Sequence, residues 1–316
     1  MSDFNILITD GLKEKGKKIL QGADGVGQVD DLDGISVQEL KERISQYHAV
    51  IVRGRTKMTA EVIALAANLK VIGRAGVGVD NIDLAAAQAN QVTVVNSPMA
   101  TTNAVAEHTL ALMLSLVRFV PKADTAMKSG QWIKKQLVGT ELDGKVLGIL
   151  GMGRIGTAVG ARAAAFGMQI LGYDPYLPAD QIQSRGATPV DLMSIYRQAD
   201  IITLHLPLGP ETRNMVDGQA LGSMKRGVRL VCAARGGIID ETALLSSLES
   251  GQVAGAALDV FATEPPGLTA LVAHPNVVAT PHIGAQTEEA QVRAAQDVAS
   301  EVLAALRNEP LRWKIV

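Results

Sequence analysis

The sequence predicts an α/β protein built as two doubly wound parallel-sheet domains, and three observations carry that reading. Short runs of Val, Ile, Leu and Ala alternate with segments of helical spacing along most of the chain, and strands joined by helical crossovers pair in parallel. Hydrophobic residues make up 47% of the chain but aromatics only 3%. The cores therefore rest on aliphatic side chains, which suit strands covered on both faces. The series is interrupted at Asn96-Ser97-Pro98, where proline disfavours continuing a helix or strand, so the elements fall into two sets.

In the first set, residues 5–9, 49–52, 71–73 and 92–95 read as buried strands, with helical spacing over 37–44, 59–67 and 84–89. A helix over 101–117 follows. It is apolar on nearly every face, so it is expected to lack a solvent side and to lie between domains or between subunits. The second set has strands at 146–150, 169–173, 201–206, 229–233, 254–258 and 277–280. A final helix over 288–307 has a polar face and stops before Asn308-Glu309-Pro310.

Composition excludes several classes of function. With 30 basic and 32 acidic residues the net charge is -2, which gives no electrostatic reason to expect nucleic acid or an anionic membrane as partner. Cys232 is the single cysteine, so no intrachain disulfide can form and a reducing compartment is expected. No basic region precedes the first apolar run, and the longest apolar stretch, 109–117, falls short of the ~20 residues that span a bilayer. A cytoplasmic protein acting on a small-molecule substrate, with no metal, is the expectation.

The strand at 146–150 leads directly into Gly151-Met152-Gly153-Arg154-Ile155-Gly156 and then a helical segment at 158–166. A GxGxxG alone is a weak signal, but its mechanism requires this strand–turn–helix setting. The first glycine makes the turn, the second lets backbone approach a pyrophosphate, and the third lets helix pack on strand. The helix N-terminus supplies free N–H groups for phosphates. The next strand ends in Tyr173-Asp174-Pro175. A carboxylate there accepts from both ribose hydroxyls of a dinucleotide and repels a 2′-phosphate, which points to NAD rather than NADP.

Three further residues follow strands of the second set: Arg235 before Gly236-Gly237, Glu264 before Pro265-Pro266, and His282 within Thr280-Pro281-His282-Ile283-Gly284. Ligands of open α/β sheets bind beyond the carboxyl ends of strands. A histidine titrates near neutrality and serves as a proton acceptor, a carboxylate beside it fixes its tautomer, and a guanidinium offers a charged planar fork to a carboxylate. Together they suit oxidation of a 2-hydroxy acid. An Arg or Glu at a strand end is ordinarily a surface ion pair of little worth. His48, His108 and His274 show no comparable setting, whereas His205 ends a strand beside the glycine loop and is a candidate cofactor contact.

Taken together, Gly73-Arg74-Ala75-Gly76-Val77-Gly78-Val79-Asp80-Asn81, the glycine loop, Tyr173-Asp174-Pro175, residues 234–241, 256–265 and 280–285 resemble the D-2-hydroxyacid dehydrogenase family, and within it the branch acting on D-3-phosphoglycerate. The motifs occur in order over most of the chain. The resemblance implies a Rossmann NAD-binding domain (99–284) inserted into a flavodoxin-like substrate domain (1–98 and 285–316), with the active site in the cleft between them. It also implies Arg235, Glu264 and His282 as the catalytic residues. Cofactor contacts would fall on Gly151, Gly153, Arg154, Ile155, Gly156, Asp174, Ala233, Ala234, Arg235, Asp259, Gly284 and Ala285. The substrate carboxylate would be held by Arg235 and by backbone amides at Gly76 and Val77.

The family's dimer-forming helix matches the apolar helix after Pro98, implying a homodimer or homotetramer. Arg53 resembles a phosphate-side position, with Lys57 and Arg55 adding charge, and Lys134 and Lys135 are candidates to reach a neighbouring subunit's site. The sequence departs from the family pattern at Cys232, where Asn is frequent, and at Gln286, where Ser or Thr is usual; both read as packing changes. A glyoxylate or hydroxypyruvate reductase is the nearest alternative, and an NAD-sensing scaffold a more distant one.

Overall fold

The computed structural model describes residues 3–316, which divide into two compact units: the chain up to Thr101 together with Gln286–Val316, and Thr102–Ala285. In the first unit β1 (Phe4–Ile8), β2 (Val26–Asp31), β3 (Ala49–Val52), β4 (Val71–Arg74) and β5 (Thr93–Asn96) form one parallel sheet in the order β2-β1-β3-β4-β5. This is the flavodoxin-like order, in which the connection reverses direction between β1 and β3. The helices α1 (Glu14–Gln21), α2 (Val37–Arg43), α3 (Ala60–Leu65) and α4 (Leu84–Ala89) cover the sheet. The side chains of Ser36, Thr59 and Asp83 cap the last three of these, each accepting an N–H of the first turn.

The second unit holds α5 (Thr102–Val117), α6 (Val120–Lys128), β6 (Val146–Leu150), α7 (Arg154–Ala165), β7 (Gln169–Tyr173), α8 (Ala179–Ser184), β8 (Thr188–Pro189), α9 (Leu192–Gln198), β9 (Ile201–Leu204), α10 (Gly218–Ser223), β10 (Val228–Cys232), α11 (Glu241–Glu249), β11 (Val253–Leu258) and β12 (Val277–Ala279). Its sheet runs β12-β11-β10-β9-β6-β7-β8 with every pairing parallel. This is the Rossmann order, reversing between β6 and β9. Both sheets therefore have the doubly wound form that the sequence pattern anticipates.

The sequence reading did not single out α6 or α8 to α11, and α1, β2 and β8 escape it for physical reasons. α1 and β2 lack an uninterrupted apolar run, because α1 is lysine-rich and β2, at the sheet edge, alternates intermediate and exposed residues. β8 is a two-residue strand, also at an edge. α12 (Glu288–Leu306) rejoins the first unit, and its Val298 and Val302 lie against Gly73 so closely that a Cβ there would sit 2.7 and 2.5 Å from their methyl carbons. Each fully buried aliphatic side chain of this interface contributes roughly 1.5–3 kcal/mol. Beyond α12 the chain forms an antiparallel bridge to β5, Val95 with Lys314, tied down by buried Glu301, which accepts from the amides of Arg312 and Trp313.

In the single chain α5 exposes a stripe of Asn103, Glu107 and Ala111. Its buried residues, among them Val105, Leu112, Met113 and Leu116, pack within its own unit against α7 and the strands β10 to β12. No single helix among the described residues is long and apolar enough to cross a membrane.

Candidate active site

All seven strands of the second unit are parallel, so the loops that follow them emerge along one edge of the sheet. After β6, Gly151 takes φ +96°, and a Cβ there would meet the His205 carbonyl oxygen at 2.6 Å. This is the close approach of the two loops at the reversal between β6 and β9. Gly156 packs α7 onto the same loop, since its Cβ would lie 2.0 Å from the Gly151 carbonyl oxygen. Gly153 differs: nothing lies within 4 Å of its Cβ position. The three glycines thus fill three separate roles, and open space beside the α7 N-terminus fits a dinucleotide pyrophosphate.

Asp174 directly follows β7 and is half-buried. Its Oδ2 accepts the Met152 amide at 2.9 Å and its Oδ1 the Tyr176 amide at 3.0 Å. The Met152 carbonyl takes the Arg185 guanidinium. The peptide between the first two glycines is therefore held on both sides, and the Asp174 carboxylate retains lone pairs for ribose hydroxyls. The glycine loop and its strand-end acid have the donor set and the space that NAD requires.

At the other end of this edge, His282 Nδ1 lies 2.7 Å from Glu264 Oε2. Glu264 Oε1 accepts the Phe261 amide at 3.1 Å, so the carboxylate is fixed at both oxygens. Partial burial raises the Glu264 pKa, but the hydrogen bonds from His282 and Phe261 outweigh it and leave the group below its ordinary value. Glu264 is thus an anion at neutral pH, and an anionic acceptor on Nδ1 makes that nitrogen the donor and leaves Nε2 to exchange protons.

The turn carrying His282 is built on Asp259, which is 1% exposed. Asp259 Oδ1 accepts Thr280 Oγ1 (2.6 Å) and the Ile283 amide (2.9 Å), Oδ2 accepts the Gly284 amide (2.8 Å), and His108 Nε2 approaches Oδ1 at 3.3 Å. Burial raises the pKa of Asp259, yet these donors reverse the effect and hold it below its ordinary value. His282 sits at φ +54°, a left-handed conformation that costs a non-glycine residue energy and persists because the surrounding bonds impose it.

Arg235 follows β10, half-buried, with Nη1 2.6 Å from the Ala234 carbonyl oxygen. Next to it, Gly236 presses on the loop of Glu264, where a Cβ would meet the Phe261 carbonyl oxygen at 1.8 Å. Ala233 and Ala234 line the same turn, half-buried.

In the first unit, Arg53 follows β3 at the point where that sheet's order reverses. Its amide donates to Asp10 at 2.7 Å and its guanidinium to Gln286 Oε1 at 3.4 Å. Gly76 takes φ +146° and donates its amide to the Arg74 carbonyl at 2.8 Å.

A family model described as D-isomer specific 2-hydroxyacid dehydrogenase, NAD binding domain, matches residues 110–284. The chain belongs to the D-isomer specific 2-hydroxyacid dehydrogenases. The glycine loop and Asp174 therefore lie in this family's NAD-binding domain. The chain is 45% identical over 307 residues to D-3-phosphoglycerate dehydrogenase of Synechocystis, covering 97% of this chain and 55% of that protein. It is 47% identical to the protein of the same name from Methanocaldococcus jannaschii, covering 96% and 58%. The chain thus spans a little over half the length of the curated relatives it matches. Among solved structures it superposes on TT0316 of Thermus thermophilus with TM-score 0.89 at 35% identity, covering 99% and 100% of the two chains. A glyoxylate reductase from Paecilomyes thermophila gives TM-score 0.92 at 30% identity, covering 100% and 99%.

Within this dehydrogenase fold, several residues stand otherwise than expected. The Gly76 amide is already donated to Arg74, so of the two amides expected to hold a carboxylate only that of Val77 donates to no backbone carbonyl among the described residues. Arg55 is bound by Asp10 and Asp33, so its charge is neutralised within its own unit rather than added to Arg53. Asp259 is buried beneath the His282 turn. The Gly284 amide is likewise committed, to Asp259, while Ala285 is half-buried at the end of the unit.

Gln286, read from sequence as a packing change, instead touches Arg53. Lys57, Lys134, Lys135 and Arg154 are exposed, and Ile155 is half-buried. His205 has Nε2 3.0 Å from Thr203 Oγ1, and burial pushes its imidazole down to about 4. Cys232 is buried, which pushes its thiol up to about 11, as suits a structural residue.

Sequence reasoning missed Asp10 and Glu241. Asp10 organises the Arg53 loop, and Glu241 accepts the Ala262 amide at 2.6 Å to tie down the Glu264 loop. Asp10 directly follows the first apolar run, the same signal that marked Asp174. Glu241 gave no signal, because its partner lies on a different connection.

Proposed function

We propose that this chain catalyses the NAD-dependent oxidation of D-3-phosphoglycerate to 3-phosphohydroxypyruvate. The observation that carries the reading is the His282–Glu264 pair, 2.7 Å apart beyond the carboxyl ends of β11 and β12. The name shared by relatives 45% and 47% identical to this chain supports the choice of substrate.

In the proposed mechanism Arg235 takes the substrate carboxylate in a forked ion pair. His282 Nε2 removes the proton of the C2 hydroxyl as hydride leaves C2, giving the keto acid and a protonated imidazole. Glu264 stabilises that imidazolium and keeps the ring oriented. Bound NAD supplies the hydride acceptor. Gly151 to Gly156 and the α7 N-terminus would hold its pyrophosphate, and Asp174 would hold the adenosine ribose. Arg53 takes the phosphate, with Gln286 orienting its guanidinium, and the Val77 amide adds a donor for the carboxylate. In the reductive direction His282 returns the proton.

We assign the reaction to serine biosynthesis in the cytoplasm and the protein to a homodimer or homotetramer. Trp132 and Val138, 77% and 82% exposed, sit in the segment after α6 and support self-association. Light scattering of the purified chain tests this; a monomer at high concentration contradicts it.

A glyoxylate or hydroxypyruvate reductase is the second reading. The name shared by the relatives 45% and 47% identical to this chain does not favour it. Initial rates of NADH oxidation with 3-phosphohydroxypyruvate, glyoxylate and hydroxypyruvate separate the two. A large kcat/KM advantage for the phosphorylated acid is expected; preference for the unphosphorylated acids reassigns the substrate and leaves the roles of His282 and Glu264 standing.

A further inference from the structure

The opposite edge of the second sheet, where β6, β9 and β10 begin, carries a cavity of about 180 Å³ that the proposed dehydrogenase reaction does not use. Its lining includes Lys145, Lys225, Arg226 and Arg229, with Thr140 and one carboxylate, Asp200. That carboxylate is already committed: Oδ1 binds Lys225 Nζ at 2.6 Å and Oδ2 accepts the Val146 amide at 2.9 Å. Asp200 is therefore ion-paired with one of the four cations, and at longer range its single charge is shared with Lys145 and Arg229.

The other three have no carboxylate within ion-pairing distance among the described residues. Arg226 reaches only the Ser250 carbonyl, at 3.4 Å. Arg229 lies on β10 itself rather than on an exposed rim. It is half-buried, and its guanidinium donates to a neutral hydroxyl, Thr140 Oγ1, at 3.2 Å. Burial lowers the Arg229 pKa and Asp200 only partly offsets this, so the cation is under-compensated where it stands. Charges withdrawn from water are ordinarily paired. Here three cations without an ion-pair contact and a single shared carboxylate surround a concave space with a hydroxyl, an excess of positive charge that a multivalent oxyanion would balance.

We propose that this cavity is a second ligand site, binding a phosphate group, either the free ion or a phosphomonoester, between Arg229, Lys145 and Arg226. The site is independent of the dehydrogenase reading, because none of its residues follows the carboxyl end of a strand.

The test is titration of the full chain with inorganic phosphate at constant ionic strength, read by calorimetry and by Tm. NADH is kept saturating so that the dinucleotide loop is not available to phosphate. A saturable response is expected. Arg229→Gln should remove it, and Lys145→Gln or Arg226→Gln should each weaken Kd on the order of tenfold, the worth of one charge-assisted hydrogen bond. Arg226 is exposed, so its variant reports even if Arg229→Gln fails to fold. A parallel titration with glycerol phosphate distinguishes the sources: binding of both assigns a phosphomonoester site, and binding of inorganic phosphate alone assigns the free ion. Absence of a saturable response, or one of equal strength in wild type and the Arg226 and Lys145 variants, overturns the proposal.

Discussion

Glu264 reaches His282 from a loop that is itself anchored: Oε2 lies 2.7 Å from His282 Nδ1 while Oε1 accepts the Phe261 amide at 3.1 Å. Because Glu264 titrates below the ordinary carboxylate range, the pair keeps its negative partner through neutral pH and loses it only as pH falls through that lowered value. Glu264→Gln removes the charge but keeps the shape. It should lower kcat by roughly two to four orders of magnitude, the range for losing an oriented acid–base group. It should also abolish the acid-side loss of activity that accompanies protonation of Glu264, since the amide does not titrate. A pH–rate profile identical to wild type would contradict the assignment. His282→Ala should remove most of kcat with NADH binding largely intact.

The glycine loop makes a sharper demand on folding than on chemistry at one position and the reverse at another. Gly156→Ala places a methyl 2.0 Å from a carbonyl oxygen, so it should cost at least the ~1–3 kcal/mol typical of overpacking, visible as a lower Tm without any ligand. Gly153→Ala meets nothing within 4 Å and should fold normally while weakening NADH binding. Equal loss of Tm in both variants would break this division of roles.

Asp174 sets cofactor choice by charge. Asp174→Ser should raise the NADPH-to-NADH ratio of kcat/KM by at least about tenfold, since one removed repulsion is worth more than ~1 kcal/mol near a half-buried carboxylate. Unchanged preference in paired kinetic assays would assign selectivity elsewhere. Some loss of stability should accompany the change, because Asp174 also holds the Met152 amide.

Arg53→Ala should raise KM for 3-phosphohydroxypyruvate much more than for glyoxylate. Gln286→Ala should repeat the effect in weaker form through the shared 3.4 Å contact. Equal effects on both substrates would remove the phosphate from Arg53.

His205 links stability to pH. Its imidazole titrates at about 4 in the fold and near 6.5 in an unfolded chain. The unfolded state binds the extra proton between those values, so stability should fall as pH drops from about 6.5 toward 4. Thermal unfolding across that range should show the slope, and His205→Asn should flatten it. His48, also lowered by burial, adds a smaller slope of the same sign that remains in the variant.

The parallel strands were legible from sequence wherever burial on both faces produces an unbroken aliphatic run, as in residues 49–52 and 146–150, which the structure assigns as β3 and β6. The edge elements β2 and β8 and the lysine-rich α1 were not, because half-exposed segments carry little hydrophobic signal. The glycine loop, Asp174, Arg235, Glu264 and His282 were visible because each lies in the loop after an apolar run and carries chemistry that a strand end rarely needs for packing.

What the chain alone determined is therefore the alternation of elements, the turn chemistry and the identity of the reactive groups, all properties of neighbouring residues. Tertiary structure alone decided that Gly156 packs on Gly151, that Asp10 and Asp33 take the charge of Arg55, that Gln286 meets Arg53, and that Arg229 faces a cavity whose one acid, Asp200, is ion-paired with Lys225. Those relationships join residues far apart in sequence, and loop spacing does not encode which strand end meets which until the sheet order is set.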